Sequence, residues 1–88
     1  MILVKDTVDE VYLAGFSVLK FKQHPVQIIT TKSGKEARQY KNISLALNDL
    51  ISIKRNFGGM LDNRRKGKMY YERFIVVVLH KGQEIKVS

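Results

Sequence analysis

The stretch Asn42-Ile43-Ser44-Leu45-Ala46-Leu47-Asn48-Asp49-Leu50-Ile51-Ser52-Ile53-Lys54-Arg55-Asn56-Phe57-Gly58-Gly59 decides how the rest of the chain must be arranged. Asn42 (or Ser44) suits a helix start, because a short polar side chain accepts from the orphan N–H groups of a first turn. Ile43, Ala46, Leu47, Leu50, Ile51 and Phe57 then recur at helical spacing, while Asn48 and Asp49 face outward. Lys54 and Arg55 fall in the last turns, near the negative end of the dipole, and Gly58-Gly59 ends the helix. A helix with one apolar stripe needs a surface to cover, and its flanks supply a sheet.

Working outward, Val11 to Lys22 is rich in β-branched and aromatic residues and reads as a strand, bulged at Gly15. Gln23-His24-Pro25 breaks it, since Pro25 lacks a ladder donor and holds His24 extended. Val26 to Thr31 alternates as a second strand. Lys32-Ser33-Gly34-Lys35 has hairpin-turn chemistry, with Gly34 able to take positive φ, and Glu36 to Lys41 is expected to return antiparallel. Residues 2–5 add a short strand at an edge.

Beyond the helix, Asp62 to Gly67 reads as a mobile loop and residues 68–80 as one long strand. In that strand Ile75, Val77 and Leu79 point one way and Phe74, Val76 and Val78 the other. Lys81-Gly82 turns the chain into a terminal strand, Glu84 to Val87. The expected fold is α+β: an antiparallel sheet of four to six strands with one helix packed on one face. The order is roughly β-ββ-α-ββ, in one domain over residues 1–88. A single helix leaves the face bearing Phe74, Val76 and Val78 uncovered, and a homodimer or a bound partner is the natural repair.

Composition narrows the function. The chain has 88 residues, and a domain of this size buries only roughly 60–65% of the surface its unfolded form exposes. A 44% hydrophobic content with 27% charged residues argues against disorder. The absence of cysteine removes disulfides, thiolate zinc sites and thiol catalysis together, and points to the cytosol, because small secreted domains commonly depend on disulfides. Acidic residues begin at Asp6, so no signal-peptide apolar region forms. No run approaches the roughly 18 apolar residues that cross a bilayer, so no membrane partner is expected.

Sixteen Lys and Arg stand against eight Asp and Glu, for a net charge of +8. The first nineteen residues are acidic on balance, with Lys5 against Asp6, Asp9 and Glu10. Two later segments are strongly basic: Lys20, Lys22, Lys32, Lys35, Arg38 and Lys41 against Glu36 alone, then Lys54, Arg55, Arg64, Arg65, Lys66, Lys68 and Arg73 against Asp62 and Glu72. If the fold brings those segments to one face, that face attracts polyanions. The richest run is Arg64-Arg65-Lys66-Gly67-Lys68-Met69-Tyr70-Tyr71-Glu72-Arg73-Phe74, where cations sit beside aromatics. Cations neutralise phosphates and release counterions; ring faces stack on bases. The candidate nucleic-acid-binding residues are therefore Arg64, Arg65, Lys66, Lys68, Arg55, Tyr70, Lys35 and Arg38.

Catalysis finds no constellation. His24 and His80 are the only histidines and neither has a second ligand at i,i+4. The serines lack a nucleophile elbow, and Gly58-Gly59 has no phosphate-loop context. Glu72 reads as a cross-strand salt-bridge partner. No enzyme, metal or cofactor is expected.

The stretch Tyr40-Lys41-Asn42-Ile43-Ser44-Leu45-Ala46-Leu47-Asn48-Asp49-Leu50-Ile51, following a Ser-Gly-Lys turn, resembles small uncharacterised proteins of phages and prophages, in which a strand pair ends in Tyr before a capped helix with an Ala-Leu-x-x-Leu core. The resemblance implies a mobile-element origin and transfers no functional residue. The expectation is a small basic accessory protein that binds DNA or RNA largely through phosphates. The alternative is a protein-binding module that inhibits or modulates host machinery through an exposed apolar strand, or a homodimeric structural subunit.

Overall fold

The computed structural model describes residues 1–18 and 25–87; expectations for the far end of the second strand, for Lys20 and Lys22, and for His24 lie outside those residues. Five antiparallel strands form one open sheet: β1 (Ile2–Asp6), β2 (Val11–Val18), β3 (Pro25–Thr31), β4 (Phe74–His80) and β5 (Gln83–Lys86). Their spatial order is β3-β2-β1-β4-β5, and one helix, α1 (Ile43–Phe57), packs on one face. The α+β reading of the sequence holds. Residues 2–5, however, do not line an edge. They form the centre of the sheet, because every residue of β1 pairs with β4, from Ile2↔Val78 to Asp6↔Phe74.

Helix α1 begins where its cap dictates. Asn42 is extended and its side-chain oxygen accepts from the Leu45 N–H at 3.0 Å. The helix ends at Phe57, although Gly58 stays in the right-handed region and closure comes from the Met60 N–H on the Phe57 carbonyl at 3.1 Å. The buried stripe differs from the expected one. Ala46, Ile53 and Phe57 are buried, with Leu47 and Leu50 against the same cluster, whereas Ile43 and Ile51 lie to the side and stay exposed. Phe74 and Val76 face the helix, together with Val4 and Leu13.

Glu36 to Lys41 forms no third hairpin strand. The Glu36 and Ala37 N–H groups fold onto the Ser33 carbonyl, and Gly34 takes no positive φ. The chain then passes between two strands that separate early. β1 and β2 pair only at Lys5↔Tyr12 and Asp6↔Val11. Beyond that point Arg38 N–H donates to the Leu13 carbonyl of β2 and Tyr40 N–H to the Ile2 carbonyl of β1. Two backbone carbonyls freed by the splayed strands are thereby satisfied. Ala37 packs on Leu3 and Val77 on one face, while Tyr40 joins the helix-side cluster.

That crossing corrects the problem of the second face. Phe74 and Val76 are covered by α1, and the opposite face, Leu3 and Val77, is covered by the chain's own Ser33–Ala37 turn, with Gly34 against Leu3, Leu79 and Met1. That face therefore needs no second copy to cover it. Phe74, Val76 and Val77 are buried and Ile75, Val78 and Leu79 half-buried, so the fold does not present them as an exposed apolar strand.

Residues 68–80 are not one strand. Tyr70–Arg73 forms a 3₁₀ turn before β4. Glu72 reaches back to accept the Met69 N–H at 2.7 Å, which stabilises that turn and replaces the expected cross-strand salt bridge. At the far end, Lys81 and Gly82 both take positive φ, the geometry of a two-residue hairpin turn matched to sheet twist. Among the described residues, no helix is long and apolar enough to cross a membrane.

Candidate nucleic-acid interface

The basic run departs from a mobile binding loop at its first residue. Asp62 is 4% exposed, and its N–H donates to the Lys68 carbonyl while Arg65 N–H donates to the Asp62 carbonyl. Gly67, at φ 81°, supplies the backbone conformation that this tight closure needs. Leu61 and Met69 meet as an isolated bridge at the base. The loop is compact and anchored.

Its arginines turn toward carboxylates, Arg73 and Arg65 inward and Arg64 at the exposed edge. Arg73, 4% exposed, places Nε 2.9 Å from Asp6, Nη2 2.7 Å from Asp9 and Nη1 3.7 Å from Asp62. Arg65 Nε pairs with Asp62 at 2.8 Å, and Arg64 pairs with Asp9. Three guanidinium groups and three carboxylates thus form a clasp between the loop and the β1–β2 turn. A planar guanidinium offers several donors in a fixed fork, which suits a site where carboxylates arrive from different elements. Asp6 also accepts from the Val8 and Asp9 N–H groups, and Thr7 donates to the Arg73 carbonyl. The Arg64 N–H and the Arg65 side chain hold the Asp62 carboxyl below the ordinary carboxylate range against the opposing effect of burial. Burial disfavours the charge on Arg73, but the hydrogen bond that it donates to Asp6 and the nearby carboxylates outweigh it and raise its pKa. Among the described residues one side-chain polar atom, Arg65 Nη2, is buried without a partner.

The lysines behave differently. Lys66 and Lys68 are exposed and, among the described residues, form no ion pair. Arg55 is exposed on the outer face of α1, and the Lys54 ammonium lies 5.6 Å from the centre of the Tyr71 ring. Tyr70 is not on a strand face free to stack. It packs edge-on against Phe57 and Phe74, with the Arg73 guanidinium 5.1 Å from its ring centre, and burial raises the pKa of its phenol.

The second basic segment lies elsewhere. The clasp sits at the Asp6 end of β1, whereas Gly34, beside exposed Lys35, rests on Met1, Leu3 and Leu79 toward the opposite end. Arg38 pairs with Asp49 of α1 at 3.0 Å and stacks on Phe16 with 5.5 Å between guanidinium carbon and ring centre. Tyr40 also donates to Asp49, and burial with that hydrogen bond raises the pKa of its phenol. Arg64, Arg65, Lys66 and Lys68 therefore share one loop, while Lys35 and Arg38 belong to another part of the surface.

The sequence reading missed Asp6, Asp9 and Asp62 as the arginines' partners. The signal present was the acidic N-terminal segment, opposite in sign to the basic run. It also missed Lys54. Among the described residues, no group of three or more His, Cys, Asp or Glu converges to hold a metal ion; in the clasp the Arg73 guanidinium occupies the centre. Comparison of the chain with protein-family models, with curated proteins and with solved structures finds no match in any of the three.

Proposed function

We propose that this protein binds nucleic acid through its phosphates, and that lysines with Arg55, rather than the loop arginines, make the contacts. One observation carries the reading: the fold draws five of its eight carboxylates into ion pairs within the chain and leaves cations on the surface that are unpaired among the described residues. Asp6, Asp9, Asp49, Asp62 and Glu84 are each paired with Lys5 or an arginine. Only Glu10, Glu36 and Glu72 form no ion pair among the described residues, and Glu36 and Glu72 accept local hydrogen bonds. Lys32, Lys35, Lys41, Lys54, Arg55, Lys66, Lys68, Lys81 and Lys86 remain exposed and unmatched among those residues. A surface so depleted of free carboxylate attracts a polyanion at long range and tolerates its sequence.

The test is an anisotropy titration with labelled single- and double-stranded oligonucleotides at two salt concentrations, with polyglutamate as a competitor. Binding that weakens steeply with salt, by a slope of about 0.7 per contacted phosphate on single strands, supports the reading. No binding at low salt removes it. Equal displacement by polyglutamate reduces it to non-specific charge.

A further inference from the structure

The apolar residues that the fold does not use point to a second site. α1 is held by Ala46, Leu50, Ile53 and Phe57, and Ile51 lies off that stripe at 54% exposure. Beside it runs a groove of about 390 Å³ between the helix and the 3₁₀ turn, walled by Leu47, Leu50, Ile51, Tyr71 and Phe74. Leu47 to Lys54 covers two turns of helix, about 10 Å, the length of a short peptide segment. Two charged residues stand at its rim. Glu72 is already engaged on the Met69 N–H, whereas the Lys54 ammonium, over the Tyr71 ring, has no carboxylate among the described residues.

From this we infer that the α1 groove receives a short acidic, apolar peptide segment of another protein, with large apolar side chains between Ile51 and Tyr71 and a carboxylate on Lys54. Charge complementarity selects this occupant: the Glu72 carboxylate is drawn onto the Met69 N–H, the Lys54 ammonium is free of carboxylate among the described residues, and the chain as a whole carries +8. A second copy of the chain brings the same +8 charge and few free carboxylates, so its approach is repelled. A nucleic-acid strand finds mostly aliphatic walls and a single cation at the rim, a poor match for successive phosphates. A purely apolar ligand leaves Lys54 unanswered. An apolar helix face meeting anchors spaced three or four apart is an established mode of peptide recognition. The groove shares Lys54 with the cationic surface offered to phosphates, but its apolar walls take no part in that reading, so peptide binding is tested without nucleic acid.

The test is selection from a displayed library of random peptides, about twelve residues long, against the whole protein free of nucleic acid. Enriched peptides should pair two large apolar residues three or four positions apart with Asp or Glu. Their affinity should fall by about tenfold or more with Ile51→Glu, the scale of losing one large apolar contact. Lys54→Glu should weaken them and Lys32→Glu should not. Circular dichroism of each variant separates loss of the groove from loss of the fold, and Lys54→Glu, an exposed change, serves should Ile51→Glu unfold the chain. The inference is overturned if nothing enriches, if enriched peptides lack carboxylates, or if Lys32→Glu weakens them as much as Lys54→Glu. It is overturned equally if the unmodified protein sediments as a dimer that Ile51→Glu dissociates, because the groove then belongs to a second copy.

Discussion

Arg64, Arg65 and Arg73 and their neighbours Lys66 and Lys68 carry the same formal charge within one short stretch, yet the fold treats them as opposites. The arginines close a neutral clasp on Asp6, Asp9 and Asp62; the lysines project into solvent. Side-chain chemistry explains the division. A guanidinium is more weakly hydrated and meets several carboxylates in one plane, whereas an ammonium is a compact, strongly hydrated charge that is costly to bury. Net charge along a sequence is therefore a poor map of surface potential. What matters is which cations already have carboxylates.

The largest expected break in this comparison is Arg73→Met. It leaves Asp6 buried without its counter-ion, while Asp62 keeps Arg65, and removal of one partner from a buried pair costs about 3–5 kcal/mol. Urea denaturation should show the loss as a lower midpoint at unchanged slope, and Arg73→Met with Asp6→Asn should recover part of it. A loss below about 1 kcal/mol would mean that the clasp adds little.

Acid should weaken the clasp next. Asp62 is held below its ordinary pKa by the Arg64 N–H and the Arg65 side chain, and Glu84 by hydrogen bonds from Lys5 and Tyr12. A carboxyl whose folded pKa is depressed stabilises the fold fully above its unfolded value, and that contribution is lost as pH falls through the folded value. Stability should be level near neutrality and decline below about pH 4. The opposite sign applies to Tyr12, whose phenol is pushed up to about 12 by its hydrogen bond to Glu84 and by burial. Its contribution is intact below about pH 10 and disappears as pH rises toward its folded value. Denaturant midpoints across the pH range check both limbs.

Much of the architecture was legible because its determinants are local. The Asn42 cap, the helix stop after Phe57, the irregular pairing between Leu13 and Gly15, and the Lys81-Gly82 turn all follow from residue type and neighbours. The failures share a different cause. Ile43 and Ile51 fit a helical period as well as Ile53 does, and only the sheet decides which of them is buried. Glu36 to Lys41 departs from a strand because partners become free where β1 and β2 separate. The clasp joins Arg73 to Asp6 across 67 residues and to Asp9 across 64, which no short-range pattern records.

Smaller effects sharpen the contrast. Arg38→Ala removes the Asp49 pair and the contact with Phe16, and should cost about 1 kcal/mol. Arg64→Ala breaks an exposed pair with Asp9 and should change stability by about 0.5 kcal/mol, within the ordinary range for surface ion pairs. Thermal melts of these two variants and Arg73→Met against the parent protein rank all three, and the order Arg73, Arg38, Arg64 is the expected one.

The division of labour between lysine and arginine is tested most directly by oligonucleotide affinity across a salt series for Lys66→Ala/Lys68→Ala beside Arg64→Ala. The double lysine variant should bind more weakly, with a salt slope shallower by about 1.4 on single strands, while Arg64→Ala should keep the parent affinity and slope. The reverse result, with slope lost on removing Arg64 and kept on removing the lysines, would contradict the assignment.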